Sequence, residues 1–302
     1  MKVAVTTSSF ARFSDEPLRL LREAGIEVVP NPHGRVLTEE EAAKVLSGCV
    51  GVCAGTEPLT AALFERLPDL KVISRCGTGM DNVDLEEAKN RGITVRNTPD
   101  APTRPVAELV LGLALDLLRH ISIMDRGMRQ GEWKKHTGHL LQGKVLGIVG
   151  LGRIGRAVAE IFQFMGCEIL YHDPFVSEFS GYTPLPLNDL LSQSDIVTLH
   201  CPKTPDGKPL IDGEQIRLMK DGAYIINAAR GGLVDEASLY AAINTQKLAG
   251  AAVDVFTKEP YKGPLVELAN VILTPHIGSA AQEARVRMEV DTVKNLLEAL
   301  GK

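Results

Sequence analysis

Short runs of β-branched and aliphatic residues alternate with amphipathic stretches along the whole chain, and this alternation limits the fold more than any other feature. Lys2–Thr6, Glu27–Val29, Cys49–Ala54, Leu70–Ser74 and Ile93–Val95 read as strands. Between them, Asp15–Ala24 reads as a helix closed by Gly25, and Thr60–Leu67 as one stopped by Pro68. Asp84 caps another that ends at Gly92. Thr38 and Glu41 have the spacing of a capping box, in which each residue satisfies a backbone amide left unpaired by the first helical turn. Glu39, Glu40 and Glu41 are then the solvated, dipole-favoured start of that helix, which Gly48 ends. The rhythm pauses at Asn97–Pro105, where three prolines make a hinge-like connection, and an apolar helix follows to about Arg119 or on to Met128. It resumes with strands at Lys144–Val149, Glu168–His172, Asp195–Leu199, Tyr224–Asn227, Ala251–Val255 and Val271–Leu273, with Asp235 capping a helix to Asn244. Strands separated by helices pair in parallel and need cover on both faces, so the chain reads as two doubly wound α/β units.

Composition narrows the function classes. The 302 residues carry 33 Lys+Arg against 38 Asp+Glu, a net charge of −5, and so lack the basic footprint of a nucleic-acid or anionic-membrane binder. The most apolar stretch, Val106–Leu118, is broken by Glu108 and Asp116 and does not read as a membrane span. The amino terminus turns polar at Thr6, too soon for a secretory core. Five cysteines, Cys49, Cys53, Cys76, Cys167 and Cys201, are scattered without a CxxC pair, which points to a reducing, cytoplasmic setting with thiols as small core residues. His136 and His139 have no metal-ligand spacing, and no metal is expected.

The sharpest local motif is Gly150-Leu151-Gly152-Arg153-Ile154-Gly155, directly after one strand and directly before a helical stretch. In a dinucleotide-binding turn, the glycines permit the tight bend, the approach of a pyrophosphate to the backbone, and close helix–strand packing. The helix terminus then offers amides and a positive dipole end to the phosphates. Asp173 lies at the end of the next strand, where a carboxylate accepts hydrogen bonds from an adenosine ribose and repels a ribose phosphate. NAD is therefore the expected cofactor, in a Rossmann-type unit.

Further motifs complete a pattern: His200-Cys201-Pro202, Asn227-Ala228-Ala229-Arg230-Gly231-Gly232, Asp254-Val255-Phe256-Thr257-Lys258-Glu259-Pro260, Thr274-Pro275-His276-Ile277-Gly278, and Gly77-Thr78-Gly79-Met80-Asp81-Asn82-Val83-Asp84. Together with the glycine turn they resemble the D-isomer-specific 2-hydroxyacid dehydrogenases over essentially the whole chain, closest to phosphoglycerate dehydrogenases lacking a regulatory domain. The resemblance implies a discontinuous substrate domain, 1–98 plus 276–302, with flavodoxin-like topology. It implies an NAD-binding Rossmann domain at 99–275 and a homodimer formed around the long helix near 102–128.

The same resemblance assigns the site residues. His276 would be the general acid–base, a role imidazole suits because it titrates near operating pH. Glu259 would stand behind it and favour its protonated form, and Arg230 would grip the substrate carboxylate with its planar fork. Arg230, Glu259 and His276 are thus the expected catalytic residues, and Thr78, Gly79 and Arg230 the expected substrate contacts. The cofactor would meet Gly150, Gly152, Arg153, Ile154, Gly155, Asp173, His200, Cys201, Pro202, Ala228, Ala229, Arg230, Asp254 and His276, with Asp254 at the nicotinamide amide.

The substrate expected first is 3-phosphoglycerate, within the class of small anionic 2-hydroxyacids and 2-keto acids. Hydroxypyruvate or glyoxylate reduction and phosphite oxidation are alternatives. A nicotinamide-sensing co-repressor is a non-enzymatic one. At Cys53–Ala54 the chain lacks an arginine that several phosphoglycerate dehydrogenases place there, and Arg75, Arg104, Lys134 and Lys135 are the cations that could serve instead.

Overall fold

The structure, a computed structural model, describes residues 1–302. It contains two compact units, Met1–Pro102 with Ser279–Lys302, and Thr103–Gly278. The first (unit 1) begins β1 (Lys2–Val5), α1 (Glu16–Glu23), β2 (Glu27–Pro30), α2 (Glu39–Leu46), β3 (Gly51–Ala54), α3 (Ala61–Glu65), β4 (Val72–Arg75), α4 (Leu85–Asn90) and β5 (Thr94–Asn97). The second (unit 2) runs α5 (Thr103–Arg119), α6 (Ile121–Arg129), β6 (Val145–Val149), α7 (Arg153–Phe164), β7 (Glu168–His172), β8 (Thr183–Pro184), α8 (Leu187–Gln193) and β9 (Ile196–Leu199). It continues with α9 (Gly213–Leu218), β10 (Ala223–Asn227), α10 (Glu236–Asn244), β11 (Leu248–Val253) and β12 (Val271–Leu273), and the chain returns to unit 1 as α11 (Gln282–Ala299).

All strand pairs are parallel. The sheet of unit 1 has the order β2-β1-β3-β4-β5, the flavodoxin-like winding, which reverses between β1 and β3. That of unit 2 has the order β12-β11-β10-β9-β6-β7-β8, the dinucleotide-binding winding with one strand added, and it reverses between β6 and β9. These reversals matter because open parallel sheets bind ligands at the carboxyl ends of the strands there.

Local chemistry explains many of the boundaries. Thr38 and Glu41 close the capping box of α2, and Asp84 and Asp235 accept from Glu87 N and Ser238 N at the starts of α4 and α10. Long-range packing explains others. Helix α11 lays Val293 and Leu296 against Val3, Val5 and Val72, and the Ser74 hydroxyl donates to Thr292 O at 2.7 Å. In unit 2, Val106, Val110, Leu113, Ala114, Leu117 and Leu118 of α5 join Leu146, Ile148, Phe162 and Tyr171 in one core. These α5 side chains are therefore internal, and the exposed apolar side chains nearby are Ile121, Met128, Trp133 and Leu140. The long helix is also interrupted, because His120 takes a left-handed conformation (φ 55°) and starts α6 afresh.

Both junctions between units lie a few residues beyond the expected 98/99 and 275/276. Thr98 stays in unit 1 because its amide and hydroxyl bond Gly77, and Ala101 packs with Cys76 and Met288. His276, Ile277 and Gly278 stay in unit 2 because Asp254 holds all three backbone amides. No helix is long and apolar enough to cross a membrane.

Candidate active site

The glycine turn of unit 2 links β6 to α7, and its glycines do different things. Gly150 has φ 95°, and a Cβ there would lie 2.7 Å from the His200 carbonyl, so only glycine lets the turn pass the end of β9. A Cβ on Gly155 would fall 2.1 Å from Gly150 O, so this residue lets α7 close on the turn. Gly152 is different: a Cβ built on it meets nothing within 4 Å. No protein atom explains that glycine, whereas a phosphate approaching the backbone does. Gly152 is the N-cap of α7 and supplies no capping side chain, so the amides of the first turn, including those of Arg153 and Ile154, lack an intrahelical acceptor. The turn thus fits the pyrophosphate of a dinucleotide.

Asp173 follows β7 beside this turn. Its Oδ2 accepts from Leu151 N at 2.8 Å and its Oδ1 from Phe175 N at 2.8 Å, which fixes the carboxylate while leaving each oxygen a further lone pair. His200, Cys201 and Pro202 follow β9. His200 Nε2 lies 2.9 Å from the Thr198 hydroxyl, and burial pushes its pKa down to about 3, so the ring is neutral. Burial also pushes the Cys201 thiol up to about 11, which keeps it protonated and unreactive.

Arg230, Glu259 and His276 follow β10, β11 and β12, three adjacent strands whose carboxyl ends therefore lie side by side. Asn227 shapes the first loop by accepting from Ala229 N and donating to Arg230 O at 3.0 Å. Ala228 is buried, and Arg230 is half-buried and donates through Nη1 to Ala229 O. A Cβ on Gly231 would sit 1.8 Å from Phe256 O, so this glycine lets the Arg230 loop touch the next one. There, Phe256 N donates to Glu259 Oε1 at 3.0 Å, and Glu259 Oε2 meets His276 Nδ1 at 2.9 Å. A carboxylate only accepts, so Nδ1 carries the proton and Nε2, on a ring half exposed to solvent, is left to exchange one.

His276 itself has φ 55°, a costly backbone conformation that persists only where the surroundings enforce it. Asp254 enforces it. Its fully buried carboxylate accepts from the Thr274 hydroxyl at 2.6 Å, Ile277 N at 2.7 Å and Gly278 N at 2.8 Å, and its own carbonyl accepts from His276 N. Asp254, the residue expected at the nicotinamide amide, thus also braces the loop that carries His276. The sequence does not single out Asn227, Phe256 and Thr274: the Asn227 side chain and the Phe256 amide shape their own loops, and Thr274 meets Asp254 only because β12 lies beside β11.

In unit 1, Thr78 and Gly79 follow β4, and Thr78 O accepts from Asn97 Nδ2 at 2.8 Å. Arg75 is buried in the same unit. Arg104 is exposed and paired with Glu108, while Lys134, Lys135, His136 and His139 are exposed.

These features define a parallel nucleotide-binding unit with a histidine–carboxylate pair at the carboxyl edge of its sheet. A sequence profile described as "D-isomer specific 2-hydroxyacid dehydrogenase, NAD binding domain" matches residues 111–278, and the chain belongs to that family. Its sequence is 41% identical over 281 residues to a D-3-phosphoglycerate dehydrogenase of Methanocaldococcus jannaschii, covering 90% of this chain and 53% of that one. The chain spans about half the length of the curated D-3-phosphoglycerate dehydrogenases it matches. With a hydroxypyruvate reductase of Thermotoga maritima it shares 38% identity over 88% of this chain and 89% of that protein. The crystal structure of the TT0316 protein from Thermus thermophilus superposes with a TM-score of 0.93 at 39% identity, covering 100% of this chain and 97% of that one.

Proposed function

We propose that the chain is an NAD-dependent dehydrogenase that interconverts a small D-2-hydroxyacid and its 2-keto acid. The observation that carries this reading is the His276–Glu259 pair, 2.9 Å apart, in the same sheet as the glycine turn. Bound NAD(H) would supply or accept the hydride. The protein's own part in reduction is to hold the keto acid and deliver one proton. Arg230 would bind the carboxylate and polarise the keto oxygen, Thr78 and Gly79 would offer backbone amides to the carboxylate, and His276 Nε2 would give its proton to that oxygen. Glu259 would hold the ring and offset the positive charge of the imidazolium, and Asp254 acts as a positioning residue.

Asp173 favours NAD(H) over NADP(H) in this reading. Both 3-phosphoglycerate and the hydroxypyruvate/D-glycerate couple belong to the proposed class, as the names of the relatives suggest. Loss of reduced-nicotinamide absorbance across a panel of 2-keto acids tests the reaction, and no turnover on any of them overturns it. The unpaired thiols support a cytoplasmic setting. A homodimer around α5 and α6 is the proposed assembly, with exposed Trp133 and Leu140 as support; light scattering at the 32.6 kDa monomer mass argues against it.

A further inference from the structure

The carboxyl edge of unit 1 holds a group that the chemistry of unit 2 does not use. Glu57, just after β3, is fully buried, where a carboxylate is seldom found. Its Oε1 accepts from the Thr6 hydroxyl and, at 3.2 Å, from Gly55 N, while its Oε2 is buried with no hydrogen-bond partner. Two more oxygens on the same edge are buried and unpartnered: Thr7 Oγ1 after β1 and Thr78 Oγ1 after β4. A Cβ on Gly55 would lie 2.9 Å from Glu57 Oε2 and 3.4 Å from Thr7 Cα, so Glu57 and the β1 loop converge on one point.

Arg75, at the end of β4, is a buried cation of the same unit and donates to Cys76 O. Its guanidinium underlies the following loop, since a Cβ on Gly77 would come within 2.6 Å of Nη1. Burial pushes Glu57 upward in pKa, and Thr6, Gly55 and Arg75 pull it back toward the charged form. Native proteins rarely leave buried polar atoms without partners, and a group of them implies one that the chain does not supply. This group sits where the strand order of unit 1 reverses, the position at which such sheets take ligands.

We propose that Glu57 determines which substrate tail is accepted: set against Arg75, it makes this edge a site for a 2-hydroxyacid whose distal group is an uncharged hydroxyl rather than a phosphate. The inference rests on the proposed function and narrows its substrate to the unphosphorylated members of the class. A distal hydroxyl can donate to Glu57 Oε2 and exchange hydrogen bonds with Thr7 and Thr78. A phosphate dianion brings acceptors and negative charge toward a buried carboxylate, and the repulsion is stronger there than in water.

Calorimetric titration of the protein with D-glycerate and with 3-phospho-D-glycerate, in the presence of NADH so that neither reacts, tests this. The wild type should bind D-glycerate about tenfold or more tightly than the phosphorylated acid. Glu57→Gln should lose or reverse that ratio, and Thr7→Val should weaken D-glycerate alone. A wild type that does not prefer D-glycerate overturns the proposal, as does a ratio that a folded Glu57→Gln leaves unmoved. Turnover of hydroxypyruvate and its phosphorylated form is read in parallel. Absence of both reactions with the binding preference intact would reject the proposed chemistry and keep the role of Glu57.

Discussion

The two units share one plan, a parallel sheet whose strand order reverses once, yet their carboxyl edges are built from different material. At the β6/β9 reversal of unit 2 the edge is backbone. Gly150 and Gly155 admit no side chain, Gly152 faces open space, and the one acid present, Asp173, accepts from backbone amides. At the β1/β3 reversal of unit 1 the edge is side chains, with Glu57, Thr6 and Arg75 all buried. A pyrophosphate is the same on every dinucleotide and is met well by fixed amides and a helix dipole. A small acid has to be told from its close relatives, and that takes charges and hydroxyls placed at its tail. The winding supplies the location, and the residues decide what it takes.

The largest test of this division of labour separates turnover from selection. His276→Ala should lower kcat by roughly 10²–10⁴-fold for every keto acid alike, with NADH binding nearly unchanged. Variants at Glu57 should instead change the ratio between substrates. Glu259→Gln keeps a hydrogen-bonding partner for Nδ1 but removes the charge that would offset the imidazolium, so kcat in reduction should fall roughly tenfold or more. A variant that turns over like the wild type would mean that the pair does not carry the proton.

Next in size are effects on the backbone edge. Asp173→Ala removes a charged acceptor worth about 1.5–3 kcal/mol, so NADH affinity should fall roughly tenfold to a hundredfold while use of NADPH rises. Equal use of both cofactors by the wild type would remove the basis for this assignment. The glycines should divide as their surroundings do. Gly155→Ala overpacks the turn and should destabilise the fold by about 1–3 kcal/mol. Gly152→Ala should change stability by no more than about 1 kcal/mol but weaken NADH binding, because its Cβ takes space that only the cofactor would use. Urea titrations and NADH fluorescence on both variants check the split; parallel losses in both would mean that the open space at Gly152 is incidental.

Much of the backbone edge is legible in the sequence, and little of the side-chain edge is. Asp173 is legible by its place at the end of the strand after the glycine turn, although its partner Leu151 is distant in the chain; the glycine spacing and the N-caps Thr38, Asp84 and Asp235 are short-range features whose physics is contained within a few residues. Strand β7 matches its expected ends for the same reason. The start of β11 at Leu248 escapes the sequence pattern because Leu248–Gly250 lacks a β-branched run, and its extension depends on pairing with β10. The two residues of β8 give no pattern at all. The bonds from Asp254 to the His276 loop depend on β11 and β12 lying side by side. Nothing in Gly55-Thr56-Glu57-Pro58 distinguishes a buried carboxyl from a solvated loop residue; the hydroxyl that meets it inside, on Thr6, is distant in the chain.

The smallest effect concerns protons, and here the two edges respond in opposite senses. Glu57 has a pKa raised by burial, so above the usual glutamate range the folded chain holds a proton that the unfolded chain has released. Acidification toward that range therefore favours the folded state at this site. His200 is the reverse. Its Nε2 meets Thr198, its Nδ1 is buried without a partner, and its pKa falls to about 3. The unfolded histidine titrates near about 6.5, so between these values the unfolded state binds more protons and stability falls as the pH drops. Glutamine cannot titrate, and its amide can still meet the Thr198 hydroxyl. On moving from about pH 7.5 to about pH 5, the wild type should therefore lose about 1–2 kcal/mol more stability than His200→Gln. Urea midpoints of both proteins at the two pH values measure the difference. Equal losses would mean that the His200 ring reaches solvent and accepts its proton there, and the backbone edge of unit 2 would then be wetter than its hydrogen bonds imply.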